Sequence, residues 1–432
     1  MRKSVLVRGL VLIIVVLLVL PGVLVGCADG TTEAEPIVIG VPVPLGDLTG
    51  STAMEGIVLA VEEINAKGGV DVAGTKRPFK IEVVDTRDVE VGVPVSEVLL
   101  AVEKLILEKK ADFLVGGPVR SEAALAVMDL LYKYKKVLIN STGSKSPALH
   151  GQVADNYDKY KYYFKTTSHA GLIAGRIFAT IDEMELKEKY GFDKVYIMAQ
   201  DVAHTRAGAD YSAQVLAQKG WTVFGPKLYA TGATDFSMGL LEIKEEGAQL
   251  LLLWMDMPEL MILIQQWRDL EIPALIFGLI SYVVGEDAWE GSQGAVNYVM
   301  ADLVDPGTIY IDAPEEMPLF WDAHIEMWGE SPEGEAGVSY DAIYILADAI
   351  ERAGTLDSEA MVTALEQTDL MGAGGRYRFD PQSHLPTYSN DPNEGLVVCE
   401  FQWQDGDKVV LLPQALATGS LILPPWMIVE ED

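Results

Sequence analysis

The sequence predicts an α/β protein of two lobes, each built on a parallel sheet, from three observations. Short β-branched apolar runs alternate with amphipathic helical segments, that alternation passes along the chain twice in series, and a β-rich tail follows. Repeated strand–helix–strand order implies right-handed crossovers and parallel strands.

In the first series the apolar run 37–43 reads as a strand. The helical spacing of Ile57, Ala60, Val61 and Ile64 predicts a helix over 52–66, stopped by Gly68-Gly69. A strand over 79–84, a helix over 94–108, a strand over 113–115, a helix over 121–132 and a strand over 137–139 follow. Tyr157, Tyr160, Tyr162, Tyr163 and Phe164 crowd a connection that ends in a strand. The second series sets helices over 170–186, 206–218, 236–246 and 258–270 between strands over 194–198, 222–228, 250–254 and 274–277. A strand near 295–300, helices over 315–328 and 338–352, and strands over 376–380, 395–403 and 407–412 close the chain.

The chain has 432 residues, 49% of them hydrophobic, with a formal charge of −32. That length supports two or three domains with sizeable cores. Its acids are spread along the chain and form no tail, which reads as a solvated surface and opposes binding to nucleic acid or anionic lipid. The first 26 residues have a basic start, an uncharged run over 9–20 and Pro21-Gly22, the anatomy of an export signal. Leu24-Val25-Gly26-Cys27 resembles the lipobox of bacterial lipoproteins, which implies cleavage before Cys27 and lipidation of its thiol. An uncleaved membrane span is the alternative, opposed by Arg8 and the Pro21-Gly22 break. Cleavage removes three of the 32 basic residues and no acid, leaving 29 against 64. Residues 27–36 read as a flexible tether. With Cys27 lipidated, Cys399 is left alone and no disulfide forms.

No Gly-x-Ser-x-Gly elbow, His-Glu-x-x-His motif or phosphate loop is present, and the five histidines form no cluster with cysteine. The expectation is therefore a protein that is not an enzyme, with no catalytic residue, no metal and no cofactor. Gly372-Ala373-Gly374-Gly375 precedes a strand and reads as a hinge or turn. Two loops are more telling. Ser121 opens the helix after the strand ending at Val115 and is placed to cap it. After the next strand, Ser141-Thr142-Gly143-Ser144-Lys145-Ser146-Pro147 offers hydroxyls at the same edge. Open α/β sheets bind ligands there, and a helix N-terminus favours a carboxylate.

The strings Ile39-Gly40-Val41-Pro42-Val43-Pro44-Leu45 and Leu59-Ala60-Val61-Glu62-Glu63-Ile64-Asn65-Ala66-Lys67-Gly68-Gly69-Val70 resemble the opening of branched-chain amino-acid ABC-transporter substrate-binding proteins. Asp85-Thr86-Arg87-Asp88, Phe113-Leu114-Val115-Gly116-Gly117, Tyr162-Tyr163-Phe164-Lys165 and Arg378-Phe379-Asp380-Pro381 continue the likeness in order. The resemblance implies two Rossmann-like lobes of the type I periplasmic binding protein fold, joined by three hinge crossovers. Lobe one would take 37–165 and 302–373, and lobe two 166–301 and 374–425. It implies a monomeric, membrane-tethered receptor that faces the periplasm or exterior, binds a small carboxylate-bearing ligand and delivers it to an ABC permease. A sensory module of the same fold is the second reading.

By the same resemblance Ser121, Ser144 and Ser146 hold the ligand carboxylate, with Thr49 in the ligand set. His204 stands where the family often has a tyrosine, and Trp254, Tyr282 and Trp221 are candidate apolar walls. The family's lobe-two acid is missing from Gly278-Leu279-Ile280-Ser281-Tyr282. Asp256 replaces it if it faces the cleft. If Asp256 caps the helix starting at Pro258, the pocket has no ammonium partner and suits an apolar or aromatic acid, since a buried ammonium needs a counter-charge.

Overall fold

The computed structural model describes residues 34–90, 92–302 and 305–427. The leader over 1–26 and Cys27 lie outside the described residues. Among the described residues no helix is long and apolar enough to cross a membrane.

Five parallel strands form the first sheet: β1 (Ile37–Val43), β2 (Phe79–Asp85), β3 (Phe113–Gly116), β4 (Leu138–Asn140) and β5 (Tyr163–Lys165), in the order β2-β1-β3-β4-β5. Ile37, Ile39, Val41 and Val43 are all buried, as expected of a strand with parallel neighbours on both sides and helices on both faces. The second sheet has β6 (Lys194–Gln200), β7 (Thr222–Tyr229), β8 (Leu250–Trp254) and β9 (Leu275–Leu279), also parallel, in the order β9-β8-β6-β7. A third, antiparallel sheet joins β10 (Met300–Asp302), β11 (Glu400–Gln404) and β12 (Asp407–Leu412). The α/β architecture with two parallel sheets is thus the one expected.

Side-chain alternation in β8 divides the second core. Leu251 and Leu253 join the cluster of Leu263, Ile264 and Trp267, whereas Leu250, Leu252 and Trp254 join that of Ile177, Val195 and Ile197 on the other face. Cys399 is buried in the first of these clusters. Burial pushes its thiol far above the usual thiol range.

The first helix runs Leu48–Ala66, four residues longer at its start than the apolar spacing indicates, because Asp47 caps it by accepting the Thr49 N–H at 3.0 Å. It packs on the helix Ala336–Ala353 at very close range, where a Cβ on Gly56 would stand 2.0 Å from the Ala336 carbonyl oxygen. The strand expected near 295–300 begins only at Met300. Tyr298 has φ +73°, a left-handed conformation that an extended strand excludes. Arg376 and Tyr377 pair in a hairpin with Leu370–Gly372, and Asp380 turns the chain by accepting the Gln382 and Ser383 N–H groups.

Candidate functional site

Parallel strands bring the ends of β1, β3, β4 and β5 to one edge of the first sheet. Two loops there are zipped together. Asn140 accepts the Thr142 N–H at 3.0 Å, Thr142 donates its hydroxyl to the Gly117 carbonyl at 3.0 Å, and Ser144 donates its N–H to the Val119 carbonyl at 2.7 Å. The Ser144 hydroxyl is buried and donated to the Pro118 carbonyl at 2.5 Å. It therefore ties loop to loop, and does not present a free donor as the sequence reading has it.

Ser121 corrects a second expectation. It does not cap its helix. Arg120 occupies the cap position without a side-chain bond, and Ser121 is the first helical residue. Its hydroxyl accepts the Ser146 N–H at 3.2 Å, so Ser121 and Ser146 lie side by side across the two loops. Among the described residues the Ser121 hydroxyl donates to no acceptor, so its proton is available. The Ser146 hydroxyl accepts the Ala148 N–H at 3.3 Å. Thr49 is half-buried in the first turn after Asp47.

The matching edge of the second sheet carries Gln200, His204, Asp256 and Ser281. Gln200 accepts the Asp256 N–H at 3.2 Å and donates to the Thr231 hydroxyl at 2.8 Å. One Asp256 oxygen accepts the Ser281 hydroxyl at 2.5 Å, and the other lies 3.2 Å from His204 Nε2. Asp256 caps nothing: the helix Leu260–Asp269 has Glu259 at its N-cap and no side-chain cap bond. His204 and Asp256 are thus brought together. The carboxylate stands between serine and imidazole, so the histidine cannot take the serine proton, and no nucleophile is activated here.

Trp254 is not a wall. It points into the core with Leu250 and Leu252, is 3% exposed, and donates its indole N–H to the Ser212 hydroxyl at 3.0 Å. Strand alternation decides this, since the strand's last residue faces the sheet's flank and not its edge. Tyr282, in contrast, is 46% exposed. Partial burial, then the carboxylates of Asp47 and Asp256, push its phenol upward. Asp47 belongs to the first edge and Asp256 to the second, so both edges act on this ring.

Behind the first edge lies a charged floor that sequence reasoning missed. Lys145 pairs with Asp305 at 2.6 Å. Lys165 is buried and donates to the carbonyls of Thr142, Gly143 and Ser168 at 3.3, 3.0 and 3.2 Å; burial, then Lys145, holds its amine well below the usual lysine range. Glu335, 8% exposed, is pushed up to about 8 by burial, then by Asp305. Ser281 and Gln200 were also missed, although each follows or ends a strand at the binding edge.

A groove of about 440 Å³, lined by Ile181, Asp182, Glu185, Lys187, Glu188 and Trp221, lies by the start of β7 and so at the opposite end of the second sheet from His204. It is separate from the two edges. Among the described residues no group of three or more His, Cys, Asp and Glu side chains is arranged to hold a metal.

With that geometry in place, comparison with known proteins is informative. The family model described as periplasmic binding protein matches residues 36–389. The chain is 24% identical over 401 residues to Leu/Ile/Val-binding protein homolog 7 of Brucella suis, covering 87% of this chain and 90% of that protein. It shares its fold with two solved structures. One is the branched-chain amino acid transporter substrate-binding protein LivJ from Streptococcus pneumoniae in complex with isoleucine, with TM-score 0.69, 20% identity and coverage of 87% and 99%. The other is a solute-binding protein of an ABC transporter from R. palustris in complex with benzoate, with TM-score 0.68, 14% identity and coverage of 92% and 100%.

Proposed function

The chain belongs to the periplasmic binding protein family, and from that premise we propose that it is the solute receptor of an ABC importer, closing over a small carboxylate-bearing ligand between its two sheet edges. Membership implies an extracytoplasmic location. The observation that carries the ligand reading is the pairing of Ser121 with Ser146, which sets an available hydroxyl proton at a helix start on an edge that answers the Asp256–His204–Ser281 edge. Such a start favours an anion, and only a closed state contacts both edges, so the ligand itself drives closure. The relative from Brucella is named for leucine, isoleucine and valine, and the two solved structures hold isoleucine and benzoate. All of these are small carboxylates with an apolar body.

In this reading lobe one comprises 37–165 and 302–373, and lobe two 166–301 and 374–425. The partner is a membrane permease, and the monomeric receptor is held near it by lipid on Cys27. Ser121, Ser146 and Thr49 serve the carboxylate side, while His204, Asp256 and Tyr282 set what else fits.

The test is a thermal-shift screen of residues 28–432 against amino acids, aromatic acids and short dicarboxylates. Once a ligand is found, Ser121→Ala is expected to weaken it about tenfold to a hundredfold, the range for one hydrogen bond to a charged group. Unchanged affinity in isothermal titration would remove Ser121 from the site.

A further inference from the structure

In a parallel sheet all strands start at one edge, and in the first sheet that edge lies opposite the hydroxyl loops. The segments meeting there are 66–80 leading into β2, 108–112 before β3, 133–136 before β4 and 155–161 before β5. A fifth, 351–359, ends the helix Ala336–Ala353. It is fixed to the edge because Glu351 accepts the Asp71 N–H at 3.1 Å and Ser358 donates to the Lys135 carbonyl at 2.6 Å. Together the five segments hold 12 of the chain's 32 basic residues and 8 of its 64 acids. This edge is the basic end of an acidic protein.

Tyrosines are interleaved with the lysines. Lys135 Nζ lies 4.6 Å from the ring centre of Tyr132 and 5.0 Å from that of Tyr162. Lys133 lies 4.5 Å from the Tyr134 ring and Lys159 4.6 Å from the Tyr160 ring. Tyr132 is 43% exposed. Acids temper the charge: Lys133 pairs with Glu103 at 3.0 Å, Lys159 with Asp129 at 2.6 Å and Lys161 with Glu359 at 2.7 Å. In each pair one partner keeps more than half of its side chain in water, so the pairs exchange for other partners at little cost.

The chain also enters the fold at this edge. β1 begins at Ile37, and Arg77 holds the two residues before it, donating to the Glu35 carbonyl at 2.7 Å and the Pro36 carbonyl at 3.3 Å. An anchor upstream of residue 34 therefore brings this edge, and not the ligand edge, towards the anchoring surface.

We infer that the basic edge is a docking face for the headgroups of an anionic bilayer, its lysines meeting phosphate and its tyrosines the water boundary. The charge of −32 opposes such a surface only as a whole. At physiological ionic strength charges are screened over about 8 Å, so a bilayer responds to the edge that touches it. Docked this way, the receptor turns its ligand edge away from the membrane and loads from the solvent side. The inference does not depend on which ligand is bound.

Residues 35–432 form one compact unit, so a chain over 27–432, made without its leader, serves for the test. It is coupled through the Cys27 thiol to a maleimide phospholipid in two kinds of vesicle. One is phosphatidylcholine alone, and the other adds an equal part of phosphatidylglycerol. Lysine acetylation, read by mass spectrometry, reports which side chains the bilayer covers. On the mixed vesicles Lys76, Lys110, Lys133 and Lys135 are expected to react more slowly than on phosphatidylcholine. Exposed Lys244, on the helix Ser237–Glu246, should react equally on both, and high salt should remove the difference. Lys133→Gln with Lys135→Gln should lower the docked-to-free ratio about tenfold or more, at roughly fivefold per lysine. Lys133→Arg with Lys135→Arg should keep Lys76 and Lys110 protected. Equal acetylation on the two vesicles, or equal protection on both, overturns the inference. A third arm adds soluble polyglutamate to the uncoupled chain. Protection there but not on the mixed vesicles assigns the edge to an acidic polypeptide and overturns it as well.

Discussion

Gly56→Val is expected to leave the protein largely unfolded or to cost more than about 3 kcal/mol in urea denaturation, at the top of the range for overpacking. The new side chain would begin 2.0 Å from the Ala336 oxygen and 2.9 Å from the Ala336 carbonyl carbon and the Tyr340 nitrogen. All three are backbone atoms inside a helix start, so no rotamer change relieves the clash. Separating the two helices would also break the bonds from Tyr340 and Tyr344 to Glu63 and shift Glu335. Gly175→Ala is the control. It lies within a helix with nothing within 4 Å of its Cβ position, and should be neutral or gain up to about 1 kcal/mol. A parental midpoint for Gly56→Val would show that these helices part without cost.

Trp254→Ala should destabilise the fold by about 3–5 kcal/mol, the cost of emptying a large buried site. Its indole is packed against the helix Ala203–Gln218, where a Cβ on Gly208 would stand 2.5 Å from the ring. At a temperature where the variant remains folded, its preference among ligands should match the parent's. Tyr282→Ala should show the reverse: a stability change under about 1 kcal/mol, since the ring is half exposed, with an altered ligand preference. A stable Trp254→Ala that has lost its ligand would return that residue to the pocket wall.

These two variants also mark what sequence could reveal. Alternating apolar strands and helices made both parallel sheets legible, because periodicity is a local property. The hydroxyl loops around Ser121 and Ser146 were legible for the same reason: they follow strands at a predictable edge. The side to which Trp254 turns depends on the strand's register, which a five-residue apolar run such as Leu250–Trp254 conceals. Ser144 and Ser146 look equivalent in sequence, yet a left-handed backbone at Ser144, with φ 36°, turns one hydroxyl into the loop. Glu335 was invisible. It sits in a polar stretch, Glu333-Gly334-Glu335, that reads as solvated loop, and its burial arises from Thr52 and Gly56 nearly three hundred residues earlier.

The sealed thiol of Cys399 has a practical consequence. A protein begun after Cys27 carries one cysteine, and that cysteine is buried and held protonated. Thiolate reagents pass it by. A cysteine introduced at position 282, on the exposed ring site that both edges act on, would then be the single attachment point for an environment-sensitive dye. The labelled receptor then reports optically on whichever ligands the altered site still takes, with no native residue removed from its core.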